Sequence, residues 1–299
     1  DSRGCDSKEF FKGLKISKDP DFEKYLNCYN TIFLNVQEFL SRTSDIYGLI
    51  DRIQRILLRD IQWEYPDIDY FDKNDLSESM QDIYAQTGIP FVIIIDEWDC
   101  IFREYKNNKE AQEKYLDFLR NMLKDKQYIQ LVYMTGILPI KKYGTHSALN
   151  MFSEYSMANP RQLAPYVGFT EDEVIDLCSR YHLNFQELKE WYDGYGFAKV
   201  PSVYSPKSVI EAVLSGICDS YWNQTETFEA LRIYIDMNFD GLKDDIISMM
   251  VGEKVSVNTG SFTNDMVTFH SKDDVLTLLI HLGYLAYDFE DKSVYIPNN

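Results

Sequence analysis

The 299-residue chain is poor in the side chains that build covalent or metal-held frameworks. Its 5 cysteines are odd in number and far apart (Cys5, Cys28, Cys100, Cys178, Cys218), with no C-x-x-C pair. That spacing excludes a disulfide scaffold and a structural zinc site, and reduced thiols are expected. Only 4 histidines occur, scattered, and no G-x-S-x-G elbow nominates a nucleophile for them, which argues against a Ser-His-Asp hydrolase. Basic residues are also scarce, 30 against 48 acidic, for a net charge of −18. Broad binding to a phosphate backbone needs clustered Lys and Arg, so direct nucleic-acid binding is not expected. No apolar run approaches the roughly 18 residues of a membrane span, and no leader peptide is evident. A cytoplasmic protein without membrane contact is therefore expected. The phosphate-cradling pattern G-x-x-x-x-G-K-[ST] occurs nowhere. Lys142-Tyr143-Gly144-Thr145 and Gly252-Glu253-Lys254 lack its spacing.

What is present centres on one stretch. Hydrophobic content of 45%, with 22 Tyr and 18 Phe, is ample for a core. Phe91-Val92-Ile93-Ile94-Ile95 then runs unbroken into Asp96 and Glu97, with Pro90 just before it. A continuous β-branched run of this length predicts a central strand buried on both faces of a parallel sheet. The two acids fall at its carboxyl end, where open α/β sheets place their ligands. An Asp there can hold Mg²⁺ through oxygen, directly or via water. The adjacent Glu can orient or deprotonate an attacking water. This is the pattern called Walker B in its Asp-Glu form. The plainer alternative is a buried strand ending in a solvated acidic turn. A paired-carboxylate nuclease is disfavoured, because no E-x-K follows on an adjacent strand.

The rest of the chain falls into alternating elements. Residues 31–36 and 129–136 read as strands, and 45–61, 73–87 and 110–126 as helices. Strand, helix, strand, helix, strand is the βαβ signature of a parallel sheet. Right-handed crossovers are expected to lay the helices on both faces. Residues 152–157 read as a further short strand. After Pro165 the character changes to helices. One starts at a capping box formed by Thr170 and Glu173, one spans 184–192, and one begins at Ser205-Pro206. More helical pattern covers 227–251. A helix over 272–282 is followed by strands 284–288 and 292–296 around Phe289-Glu290-Asp291, an arrangement that suggests a winged-helix-like module. Residues 272–299 hold two lysines against five acids, so protein contact is expected there rather than nucleic acid.

Other side chains were weighed beside the acids. Thr135 sits at the end of its strand as a polar sensor of a γ-phosphate or attacking water would; otherwise it is a threonine satisfied by local backbone bonds. Arg161 is placed to reach a phosphate or a neighbouring subunit's site; otherwise it is a surface arginine in a loop. Lys141 and Lys142 read as solvated. Trp191-Tyr192-Asp193-Gly194-Tyr195 reads as an aromatic helix-ending turn rather than a binding cage.

The order of segments resembles the bacterial AAA-ATPase-like family of P-loop proteins. The matching pieces begin with Phe10-Phe11-Lys12-Gly13-Leu14-Lys15-Ile16, the strand at 32–35, and Ile93-Ile94-Ile95-Asp96-Glu97-Trp98-Asp99. They continue with Thr135-Gly136-Ile137-Leu138-Pro139-Ile140, Gly168-Phe169-Thr170-Glu171-Asp172-Glu173-Val174, Trp191-Tyr192-Asp193-Gly194-Tyr195 and Tyr204-Ser205-Pro206-Lys207-Ser208-Val209. The resemblance implies an α/β fold with a parallel P-loop NTPase-type (ASCE) sheet over 1–165, here missing its first strand. It also implies a helical lid over 166–225 and a winged-helix-like α+β tail over 226–299. Carried over by position, it makes Asp96 the Mg²⁺-associated acid and a nucleotide-binding residue, Glu97 the catalytic acid and Thr135 the first sensor. ATP and Mg²⁺ are the implied cofactors of the complete protein. A protein partner or a fused carboxy-terminal PD-(D/E)XK nuclease-like domain is the implied recipient of the coupling. The Walker A segment that the family places before residue 1 is not in these residues, so this chain alone is expected to be inactive. The alternative function is a non-catalytic, degenerate ATPase scaffold acting as a protein-interaction module.

Overall fold

The computed structural model describes residues 4–137, 149–197, 200–221, 235, 238–260, 262 and 269–298. The chain divides between Phe152 and Ser153 into two compact units. The first carries a three-stranded parallel sheet in the order β1-β2-β3, formed by β1 (Asn30–Asn35), β2 (Phe91–Asp96) and β3 (Ile129–Met134). A single helical turn, α1 (Phe22–Tyr25), precedes β1, and a short helix, α2 (Val36–Leu40), follows it. The crossover to β2 holds α3 (Ile46–Glu64) and α4 (Leu76–Thr87). The crossover to β3 holds α5 (Cys100–Glu104) and α6 (Lys109–Leu123).

These elements start and stop where local chemistry requires. Asp45, Asp75 and Asn108 each use a side-chain oxygen to accept a free backbone N–H in the first turn of α3, α4 and α6. Gly88 closes α4 at φ 70°, a left-handed position that a side chain resists. The stripe Leu49, Ile53, Leu57 and Ile61 of α3 is buried, as are Tyr115, Leu119 and Met122 of α6. These side chains form the first unit's core with Ile32, Leu34, Phe91, Ile93 and Ile95 of the sheet.

The strand at 91–96 is central, as its composition predicts, but it is not buried on both faces. Parallel register sets Phe33, Ile94 and Tyr133 side by side, and likewise Thr31, Val92 and Leu131. On this second face Phe33 is 61% exposed, Leu131 54% and Tyr133 51%. The expectation of helices on both faces is corrected for a topological reason. The sheet grows β1, β2, β3 in one direction, and right-handed crossovers that all step one way lay their helices on one face.

The second unit begins with no strand at 152–157. Only an isolated bridge, Ser156 to Asn159, forms there, so that expectation is also corrected. The polar run Ser153-Glu154 offers no apolar face for a sheet to bury. A three-stranded antiparallel sheet follows in the order β4-β6-β5, from β4 (Phe169–Thr170), β5 (Tyr195–Phe197) and β6 (Val200–Tyr204). Helices α7 (Glu171–Tyr181), α8 (Phe185–Tyr192) and α9 (Pro206–Ser215) enclose a core of Val174, Cys178, Leu188, Tyr192, Tyr204 and Val209. The capping box of Thr170 and Glu173 is formed. Of the helical pattern over 227–251, α10 (Leu242–Met250) is described, and most of 227–237 lies outside the described residues. Helix α11 (Lys272–His281) precedes β8 (Ala286–Asp288) and β9 (Ser293–Tyr295), which pair in the order β7-β9-β8 with β7 (Val255–Ser256).

The Trp191 to Tyr195 turn is a packing joint within this unit. The Tyr195 hydroxyl donates to the Gly283 carbonyl at 2.5 Å, and the Tyr295 hydroxyl donates to the Gly194 carbonyl at 2.9 Å. Gly194 has φ 132°, and a Cβ there would come within 1.8 Å of the Pro297 carbonyl. Only glycine fits that approach.

His281 ends α11 with its ring 5.9 Å from that of Phe262. Burial pushes its pKa down from 6.5 to about 4. A histidine held neutral in this way contributes its full stability above the unfolded value, and loses it as pH falls from 6.5 toward 4. The second unit should therefore be about 2 kcal/mol less stable at pH 5 than at pH 7 through this group alone. Denaturant melts across that window should show the slope, and His281→Leu should flatten it.

Candidate functional site

Parallel register brings the carboxyl ends of the three strands of the first unit to one edge. Asn35 pairs with Asp96, and Ile95 pairs with Met134, the residue before Thr135. Thr135 is fixed from both sides by backbone bonds: its N–H donates to Ile95 at 2.9 Å, and its carbonyl accepts from Trp98 at 3.1 Å. Its side chain is therefore not spent on local backbone. Its hydroxyl donates to Asp96 Oδ1 at 2.6 Å, joining residues 39 positions apart. The same oxygen accepts the Glu97 N–H at 3.0 Å. Two donors on one oxygen fix the carboxylate and direct Oδ2 away from them.

Glu97 leaves the strand with φ 54°, in the left-handed region that residues with side chains seldom occupy. Such positions cost about 1–3 kcal/mol and cluster at functional sites. The turn throws the Glu97 side chain off the strand axis, where the Arg103 guanidinium pairs with its carboxylate. Asp99, fully buried, lies 3.6 Å from Arg103 Nε. A Cβ on Gly136 would come within 2.5 Å of Asp99 Oδ1 and 2.7 Å of Trp98 Cδ1. The residue after Thr135 must therefore be glycine for this turn to pack against β3.

The structure thus brings Asp96, Glu97 and Thr135 together. Arg161 lies in the second unit, at φ 48°, with its guanidinium 5.7 Å from the centre of the Tyr155 ring. Lys141 and Lys142 lie outside the described residues. Lys254, in the weak cradle candidate at 252–254, is engaged by Asp288 at 2.6 Å and Asp291 at 3.6 Å. Cys100, just beyond the acids, is no nucleophile: burial pushes its thiol up to about 12, against a smaller lowering by Arg103. The sequence did not point to Arg103, and Asp99 and Gly136 entered only as parts of matching segments, without a role. The i, i+4 spacing of Asp99 and Arg103 was the available signal.

The donor set can be tested against a metal. Among the described residues no cluster of three or more His, Cys, Asp or Glu could hold an ion. One fixed carboxylate beside a hydroxyl does not make a protein cage for Ca²⁺ or Zn²⁺. It fits Mg²⁺, which keeps most of its waters and takes one or two carboxylates together with substrate phosphates.

The paired acids and the threonine lie at the carboxyl edge of a parallel α/β sheet, the edge at which open α/β sheets place their ligands. Residues 2–145 match the family model described as Predicted AAA-ATPase. Over those residues the match supports an AAA-ATPase-like family. No curated protein matches the chain, and no solved structure matches it. No helix among the described residues is long and apolar enough to cross a membrane.

Removing the hydroxyl that holds Asp96 should be felt by the fold. Thr135→Val should cost about 1–2 kcal/mol, since it strips a donor from a carboxylate, while Thr135→Ser should recover most of it. Urea unfolding of the three proteins checks this.

Proposed function

We propose that this chain carries the catalytic half of an ATPase that uses Mg²⁺. The observation that supports it most is the Thr135 hydroxyl bound to Asp96 beside a left-handed Glu97. In this reading Asp96 holds the hydrated cation and Glu97 orients and deprotonates the attacking water. Thr135 keeps Asp96 in place and senses the γ-phosphate. When bound, Mg²⁺ would neutralise charge developing on the phosphate oxygens. Arg161 is assigned as a further nucleotide-binding residue, and the segment over 166–225 as a helical lid. The segment over 226–299 is assigned as a winged-helix-like module that passes the motion to a protein partner or a fused nuclease-like domain, in the cytoplasm.

The phosphate cradle has to come from outside these residues. The bare sheet face supports where it would attach. Parallel sheets in α/β proteins are covered on both faces, and here Phe33, Leu131 and Tyr133 are open. A strand pairing with the free edge of β3, with its crossover helix, would cover the Leu131 and Tyr133 side of that face and set the loop between strand and helix beside Thr135, one strand beyond Asp96. That loop is the position of a phosphate cradle. The open edge also supports the second reading, a non-catalytic scaffold whose sheet face binds a partner protein.

Glu97→Gln separates the two. In the protein that joins this chain to a phosphate-binding segment, it should keep Mg·ATP binding and lower turnover by about 100-fold or more. Unchanged turnover in that variant would remove Glu97 from the chemistry.

A further inference from the structure

Glu97 is assigned to the water, yet nothing in its own chemistry points it there. Its side chain has three rotatable bonds, and ordering such a chain costs about 1.5–2 kcal/mol. Its backbone is left-handed, and its N–H is spent on Asp96. The structure assigns the missing constraint to Arg103: we infer that Arg103 is a positioning residue that acts through Glu97. This rests on the hydrolytic reading above and deepens it.

Three observations carry it. The first is the contact: Arg103 Nη2 donates to Glu97 Oε2, which engages one oxygen of the carboxylate and leaves Oε1 for a water. The second is the setting. The Arg103 side chain is only 25% exposed and that of Glu97 36%. This is not one of the solvated pairs that dominate the surface, such as Arg55 with Asp51 at 68% and 62%. A part-shielded guanidinium pair resists solvent screening and fixes direction. The third is that Arg103 is itself anchored. It sits on α5 with Nε 3.6 Å from the buried Asp99, and Asp99 is wedged against Gly136, where a Cβ would meet it at 2.5 Å. The end of β3 thus fixes Asp96 through Thr135 and Glu97 through Gly136, Asp99 and Arg103. The two acids are set by neighbouring residues of the same strand end.

A residue that acts only through Glu97 has a recognisable signature. In the protein that joins this chain to its phosphate-binding segment, Arg103→Ala should lower kcat about tenfold while leaving KM for Mg·ATP within about twofold. Arg103→Lys, which keeps the cation but not the fork, should restore part of the loss. In a Glu97→Gln background, Arg103→Ala should change kcat less than about twofold, because the group it positions is already disabled. Thermal melts of each variant report the fold. If Arg103→Ala fails to fold with Asp99 left unbalanced, Arg103→Lys carries the comparison, and its kcat should fall with KM unchanged. The inference is overturned if kcat of the folded variant matches the parent. It is also overturned if the Arg103 substitution costs as much in the Glu97→Gln background as in the parent. Full turnover by Glu97→Gln alone would overturn the hydrolytic reading and this inference with it. Lost turnover there with an unaffected Arg103 variant would overturn this inference alone.

Discussion

The hydroxyl of Thr135 holds Asp96 across two strands, and the arrangement of the site depends on that bond. It forms only because β2 and β3 run parallel in a register that sets Ile95 beside Met134. A one-residue slip would turn Thr135 to the other face. Backbone bonds then lock Thr135 from both sides, so its side chain has one direction to point. Glu97 follows from the same constraint. With the strand ended and its N–H drawn to Asp96, the chain turns sharply through a left-handed residue into α5, and Arg103 arrives one helical turn beyond Asp99.

The sheet has two unlike sides. The face that carries Ile93 and Ile95 is filled by α3, α4 and α6, and there the first unit gains its hydrophobic stabilisation. The other face shows Phe33, Leu131 and Tyr133 to solvent. Single exposed apolar residues are ordinary, but Phe33 on one edge strand with Leu131 and Tyr133 on the other, all on one face of a parallel sheet, form a patch of the kind that marks an interaction surface. The acids lie at the carboxyl edge shared by both faces, so whatever covers the second face also borders the site.

Much of the first unit was legible in the sequence because its signals are local. The run at 91–95 reads as a strand from its β-branched residues, and 45–61 as a helix from the spacing of its apolar stripe. The acids and Thr135 were legible as strand-end residues, since strand ends in α/β sheets carry function. The bareness of one sheet face was not legible, because composition shows that Leu131 and Tyr133 are apolar but not which way successive crossovers step. The strand expected at 152–157 failed because its polar start offers no apolar face to bury, and only the Ser156 to Asn159 bridge forms. The short strands at 195–197 and 200–204 were missed because Gly194 and Gly196 read as a turn, whereas their lack of a Cβ serves a close backbone approach. Arg103 was missed because its partner lies six residues away, across a left-handed turn that no periodicity anticipates.

The account stands on Asp96 as the residue that brings a metal-bound nucleotide to this edge. The direct measurement is the affinity of a non-hydrolysable ATP analogue, with and without Mg²⁺, for the protein that joins these residues to a phosphate-binding segment and for its Asp96→Asn form. The account predicts Mg²⁺-dependent binding that weakens about tenfold or more when the carboxylate is lost. Binding that is indifferent to Mg²⁺, or equal in the two proteins, would contradict it and leave the acids as the solvated end of a strand.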